Sequence, residues 1–168
     1  MAATIRVQTE DFDAGDEIAA LRAGKPEVGA VVCFIGAVRD TLPSREAAAK
    51  VLALTIEHYP GMTESALQDI CSEAESRWEL IDTLVIHRYG ELAPQDQIVL
   101  VAVTSAHRGE AFAACEFIID FLKTQAPFWK KETTAAGASW VAARSADASA
   151  ADRWSSTAPT SKIPEISE

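Results

Sequence analysis

The chain has 168 residues, 48% of them hydrophobic, with 25 acidic against 15 basic side chains and a formal net charge of -10. That length suits one domain able to bury a core without metal or disulfide staples. The acidity excludes a surface built to hold a nucleic-acid backbone or an anionic membrane, so any bound anion must be met by a local pocket.

The three cysteines, Cys33, Cys71 and Cys115, are far apart, odd in number and embedded in apolar runs. They read as reduced thiols of a cytoplasmic protein, with no disulfide. The opening MAATIRVQTEDFDAGDE has acids where a signal peptide would need a basic flank and an apolar core. The longest apolar run, VGAVVCFIGAV over 28–38, falls far short of the roughly 20 residues of a membrane-spanning helix. A soluble, unexported chain is expected.

In chain order, Ile5 and Val7 alternate with polar neighbours and predict an edge strand, followed by a short helix that Asp13 caps and Gly24 ends. The run over 28–38 predicts a buried strand, and DTLPSREAAAK (40–50) a loop. VLALTIEH alternates as a strand, YPGM turns the chain, and a helix begins near Thr63, whose hydroxyl is expected to cap it. Its apolar positions Leu67, Ile70, Cys71, Ala74 and Trp78 have helical spacing.

Two further strands, TLVIHRYG and QIVLVAVTS, flank a loop containing Pro94, and a third helix covers about 107–124, stopping before Pro127. PFWKKETT and ASWVAAR then face each other across AAG, a hairpin in which Gly137 takes positive φ. Helices separated by pairs of strands predict an α+β fold with antiparallel or mixed sheets and about three helices. Residues 1–144 form the domain, and 145–168, rich in Ala, Ser, Pro and acid, read as a flexible tail.

Nucleotide-loop, zincin and serine-hydrolase motifs are missing, and no close Cys/His cluster suggests a metal. The third helix is more informative. Ala111, Phe112, Cys115, Ile118, Ile119 and Leu122 form an apolar stripe that, projected backwards, includes Arg108 at the first turn. An inward guanidinium at a helix N-terminus is an anion site, with His107 as a further donor. The structural alternative is an Arg108 bonded to a core carboxylate or to backbone carbonyls.

At the other end of that stripe lies Lys123, which equally suits a last helical turn without any function. Lys130 and Lys131 must face opposite sides of their strand. One is solvated; the other shares a face with Phe128 and Glu132, where burial near other cations lowers its pKa and frees its amine for chemistry. A surface role competes for both. Arg39 follows the 28–38 strand and projects into a cleft or forms a salt bridge. His58 and His87 read as structural, and Trp78, Trp129 and Trp140 as core.

Five segments, FIGAVRD, LTIEHYPGMTESAL, VIHRYGEL, VTSAHRGEAFAACEFIIDFLKTQAPFWKKE and WVAAR, resemble in that order the large catalytic subunit of molybdopterin synthase. The likeness runs from about residue 28 to 144. It implies an α/β-hammerhead fold, a homodimer, and a small ubiquitin-like carrier subunit at each end, giving a heterotetramer. The carrier's thiocarboxylated Gly-Gly terminus enters a pocket where sulfur passes, twice, to cyclic pyranopterin monophosphate to form the dithiolene of molybdopterin. No metal or other cofactor is implied for that step. Lys123 and Lys130 carry the chemistry in this likeness, and Arg39, His107, Arg108, Lys131, Glu132 and Arg144 join them in holding substrate. Ala37 and Gln125 stand where relatives often have Lys and Arg, so the pocket holds fewer cations. A non-catalytic docking module for a ubiquitin-like protein and a Schiff-base lyase are the competing classes.

Overall fold

The computed structural model describes residues 3–41, 50–142 and 144–156. In chain order the elements are β1 (Thr4–Gln8), α1 (Ala14–Arg22), β2 (Ala30–Ala37), β3 (Val51–His58), α2 (Met62–Arg77), β4 (Leu80–Arg88) and β5 (Gly90–Leu92). There follow β6 (Gln97–Ser105), α3 (Arg108–Gln125), β7 (Phe128–Thr134), β8 (Gly137–Trp140), α4 (Ser145–Asp152) and a 3₁₀ turn, Arg153–Ser156. The strands form two four-stranded sheets, β1-β4-β6-β2 and β5-β3-β7-β8. Among the described strands only the β1–β4 pair is parallel. The architecture is α+β.

β4 and β6 are nearly continuous apolar runs because both faces of their sheet are covered. On one face Val85, Val101 and Val103 meet Leu67, Cys71 and Ala74 of α2 and Ala114, Phe117 and Ile118 of α3. On the other, Leu84, Ile86, Leu100 and Ala102 cluster with Phe12 and Leu21 under α1. Ion pairs Arg6–Glu17 and Lys25–Asp82 tie α1 and the turn after it to the sheet.

Local signals act where expected at α1: the Asp13 carboxylate accepts from Asp16 N at 3.0 Å, and Gly24 has φ +73°. The β7–β8 hairpin turns through Gly137 at φ +122°. Thr63 differs. α2 starts at Met62 after Gly61, and Thr63 is fully buried, its hydroxyl accepting from Tyr59 N (3.1 Å) and donating to Pro127 O (3.2 Å). The hydroxyl thus joins the turn before α2 to the start of β7 rather than capping the helix.

β2 also departs from expectation. Among the described residues it is an edge strand paired only with β6, and Cys33, Ile35 and Ala37 are exposed. An apolar β-branched run cannot by itself distinguish a central strand from an edge. The 40–50 loop lies mostly outside the described residues, closed by a Thr41–Lys50 bridge.

The expected flexible tail begins instead with a helix. α4 and the 3₁₀ turn pack back onto α3, where Trp154 sits edge-on to Trp78 (5.7 Å) and Phe117 (5.5 Å). The Trp154 indole N–H donates to Asp120 Oδ2 at 2.8 Å, and Arg153 reaches Asp120 (2.7 Å) and Glu116 (2.6 Å). One aromatic, Trp154, and the two ion pairs of its neighbour Arg153 override the Ala/Ser-rich composition. Residues 157–168 lie outside the described residues.

Candidate active site

A cleft of about 760 Å³ opens where the end of β2, the C-terminal turn of α3, β7 and the start of α4 converge. Each wall contributes a charge. A register shift at Gly36/Ala37 bends β2, and Val38 N bonds to Asp96 O at 2.9 Å, which leaves Arg39 beyond the last strand pair at the mouth. Gly36 is required by close packing, because a Cβ there would lie 2.8 Å from Val99 Cγ1. Lys123, in the last turn of α3, holds its ammonium 6.0 Å from the Phe34 ring centroid. Arg144 and Asp147 enter from the α4 side.

β7 settles which lysine faces inward. Phe128, Lys130 and Glu132 pair with His58, Ile56 and Leu54, and Ile56 and Leu54 are core residues. Lys130 is half-buried on that face and lines the cleft. Burial is the main force lowering its pKa below the usual lysine range, with Lys123 and Arg144 adding to it and Asp147 and Glu132 opposing. Lys131 lies on the opposite face, its ammonium 5.5 Å from the Trp140 ring centroid.

The floor contains a residue assigned above only a structural role. His87 is 1% exposed, borders the cleft and stacks on Phe128 at 3.7 Å. Its Nδ1 lies 2.8 Å from Arg88 O, and because a carbonyl only accepts, Nδ1 carries the proton of a neutral ring. The sequence signal was a histidine inside an apolar strand beside the site segments; alternation alone could not say that its neighbour would be Phe128.

The fold therefore brings together Arg39, Lys123, Lys130, Glu132 and Arg144, and does not bring His107, Arg108 or Lys131 to them. His107 and Arg108 are exposed at the start of α3, so Arg108 does not point inward as expected. At about 1.5 Å per residue, Arg108 and Lys123 lie roughly 22 Å apart along that helix. The buried face is centred on Ala111, Ala114, Ile118 and Leu122 and extends to Phe117, which leaves Phe112 61% exposed at its margin. Trp129 and Trp140, expected in the core, are 48% and 57% exposed at the border of the cleft. Ala37 borders the cleft, whereas Gln125 faces a groove between α3 and α4.

Among the described residues no group of three or more His, Cys, Asp or Glu side chains is placed to hold a metal ion, and no helix is long and apolar enough to cross a membrane.

Comparison with known proteins agrees with this fold. The family model described as MoaE protein matches residues 7–125. A molybdopterin synthase catalytic subunit of Ralstonia nicotianae is 64% identical over 151 residues, covering 90% of this chain and 84% of the relative. The structure of the molybdopterin biosynthesis MoaE protein from Burkholderia ambifaria superposes with a TM-score of 0.77 at 55% identity, covering 92% of this chain and 99% of that one. A molybdopterin synthase structure from Staphylococcus aureus gives 0.73 at 33% identity, covering 82% and 96%.

Proposed function

The chain belongs to the MoaE family of molybdopterin synthase catalytic subunits, and from that premise we propose how its cleft works. It transfers sulfur from the thiocarboxylated C-terminus of a small ubiquitin-like carrier subunit to cyclic pyranopterin monophosphate, forming the dithiolene of molybdopterin. The observation that carries this reading is the convergence of Arg39, Lys123, Lys130 and Arg144 in one cleft of a chain with net charge -10. Both reactants are anions, so their mutual repulsion must be cancelled before sulfur can reach carbon.

Lys130 pairs with the thiocarboxylate. Burial has already stripped much of its hydration and lowered its pKa, so closing the pair costs little further desolvation of the ammonium. Lys123, exposed at the mouth, moves protons as oxygen leaves and sulfur enters, while Arg39 and Arg144 receive the phosphate and Glu132 orients Lys130. Each charge contact supplies on the order of 3 kcal/mol, or about a hundredfold in rate.

His107 and Arg108 cannot reach the cleft of their own chain, and in this reading they serve the cleft of a second copy. The exposed edge of β2, with Ile35 42% exposed, supports a homodimer. With a carrier bound to each copy the assembly is a heterotetramer. A cytoplasmic location accords with the unpaired Cys33, Cys71 and Cys115.

The test is reconstitution from purified chain, thiocarboxylated carrier and cyclic pyranopterin monophosphate, measuring dithiolene product. Lys123→Ala and Lys130→Ala are expected to bind carrier but to lose about a hundredfold or more in product formation. A wild-type chain that binds carrier and gives no product would establish a docking module instead.

A further inference from the structure

Alternation along β4 puts Thr83, Val85 and His87 on one face, and Val85 is fully buried in the core there. His87 ends that face, where apolar packing gives way to the cleft. With 1% of the residue exposed, each ring nitrogen needs a partner. Nδ1 has one, since it donates to Arg88 O at 2.8 Å. Nε2 therefore carries the lone pair of the neutral ring and can only accept. Among the described residues no group donates to it. The side-chain atoms of these residues that are both sealed and unpartnered are Arg6 Nε, His58 Nδ1 and Thr83 Oγ1. Nε2 is not one of them, so its free edge opens on the cleft that His87 borders.

An uncharged acceptor is out of character in this place. Arg39, Lys123, Lys130 and Arg144 present donors, which suit phosphate and thiocarboxylate. The oxygens of those anions cannot bond to Nε2, because lone pairs would face each other. Nor can the ring become a donor there: burial, with the charges of Lys130 and His58, pushes its pKa down to about 3. The bond to Arg88 O and the stack on Phe128 hold the ring against flipping. Whatever meets Nε2 must bring a hydrogen of its own.

We propose that His87 Nε2 is a specificity-determining acceptor that takes an N–H of the pterin ring, orienting that ring on the cleft floor while the phosphate stays with the cations. The assignment rests on the sulfur-transfer reading and deepens it. Of the two reactants, the pterin brings a heterocycle whose ring N–H and amino groups are donors, and its anionic end has none to offer. A competing phosphate ester without a ring donor leaves Nε2 unpaired in a site shielded from water, and that mismatch discriminates against it.

The test measures binding of cyclic pyranopterin monophosphate to the full chain by calorimetry, with no carrier and hence no turnover. His87→Phe, which keeps the stack, is expected to weaken binding about tenfold, and His87→Gln, whose amide oxygen can replace Nε2, to recover most of it. The ratio of wild-type to His87→Phe affinity stays constant from pH 5.5 to 8. In the wild-type chain labelled with ¹⁵N-histidine, the pterin moves the Nε2 resonance upfield, and inorganic phosphate does not. An Nε2 resonance that the bound pterin leaves in place overturns the inference, as does wild-type affinity in a folded His87→Phe. A ratio that grows as pH falls through 6.5 also overturns it, since an imidazolium would then be holding the phosphate. A wild-type chain that binds the pterin through Nε2 and yields no dithiolene with thiocarboxylated carrier would instead remove the sulfur-transfer reading.

Discussion

The imidazole of His87 and the ring of Phe128 are stacked, their centroids 3.7 Å apart and their planes inclined by 16°. β4 supplies one ring and β7 the other, so the contact joins the two sheets beneath the cleft. Lys130 lies two residues beyond Phe128 on the same face of β7, and the stack therefore fixes the part of the strand that aims the lysine.

The stack makes stability sensitive to acid. Burial, assisted by the charge of Lys130 and by His58, pushes the His87 pKa down to about 3 despite its bond to Arg88 O. The unfolded chain takes up a proton near pH 6.5 that the native chain refuses, so stability is full above that pH and falls as pH drops from there toward 3. The slope is up to about 1.4 kcal/mol per pH unit. His87→Phe keeps the stack and removes the titration; urea denaturation at pH 7, 5.5 and 4 is expected to show a shallower loss for the variant.

Activity should decline on the alkaline side earlier than an ordinary lysine would allow. In the proposed pairing with the thiocarboxylate Lys130 must be charged, and its pKa lies below the usual range. Asp147 is a carboxylate that opposes this shift. Asp147→Asn therefore moves the alkaline limb of kcat/KM to lower pH, read from a rate profile over pH 7–10.

The thiols separate into two classes. Burial pushes Cys71 and Cys115 up to about 12, while Cys33 is exposed on the β2 edge. Titration with a chromogenic disulfide is expected to modify Cys33 quickly in the native protein and the other two only in denaturant.

Asp120 anchors the segment that carries Arg144 and Asp147. It accepts from both the Trp154 indole and Arg153, and Arg77 adds a bond to Trp154 O at 3.1 Å. Asp120→Ala is expected to destabilise the fold by about 1–3 kcal/mol and to raise KM for the pterin, because α4 loses its seat and the cleft loses a wall. Thermal melting and steady-state kinetics report the two effects separately.

Much of this fold is legible in the sequence because the strongest signals are local. Alternation gives β3 and β7 and places Lys130 and Lys131 on opposite faces, and helical spacing gives the buried side of α2. What escapes is set by partners distant in the chain. Whether β2 lies at an edge depends on which strands join its sheet, and whether Trp129 is core or rim depends on which distant elements reach its face. His87 becomes part of the cleft floor only through Phe128, 41 positions later in the chain. The α4 segment is a helix because Trp154 finds Trp78, Phe117 and Asp120, contacts to which its own composition is blind.

The length of α3 has a genetic consequence. With Arg108 and Lys123 at opposite ends of a rigid rod, the proposed homodimer would build each cleft from one residue of either copy, so that two differently crippled chains would repair one another. Arg108→Ala and Lys123→Ala, each inactive alone, should regain activity when unfolded together and refolded as a mixture, to about a quarter of the wild-type sites under random pairing. Coexpression of the two alleles would likewise restore molybdenum-enzyme activity that neither allele supports, whereas clefts built within single chains would stay silent in every mixture.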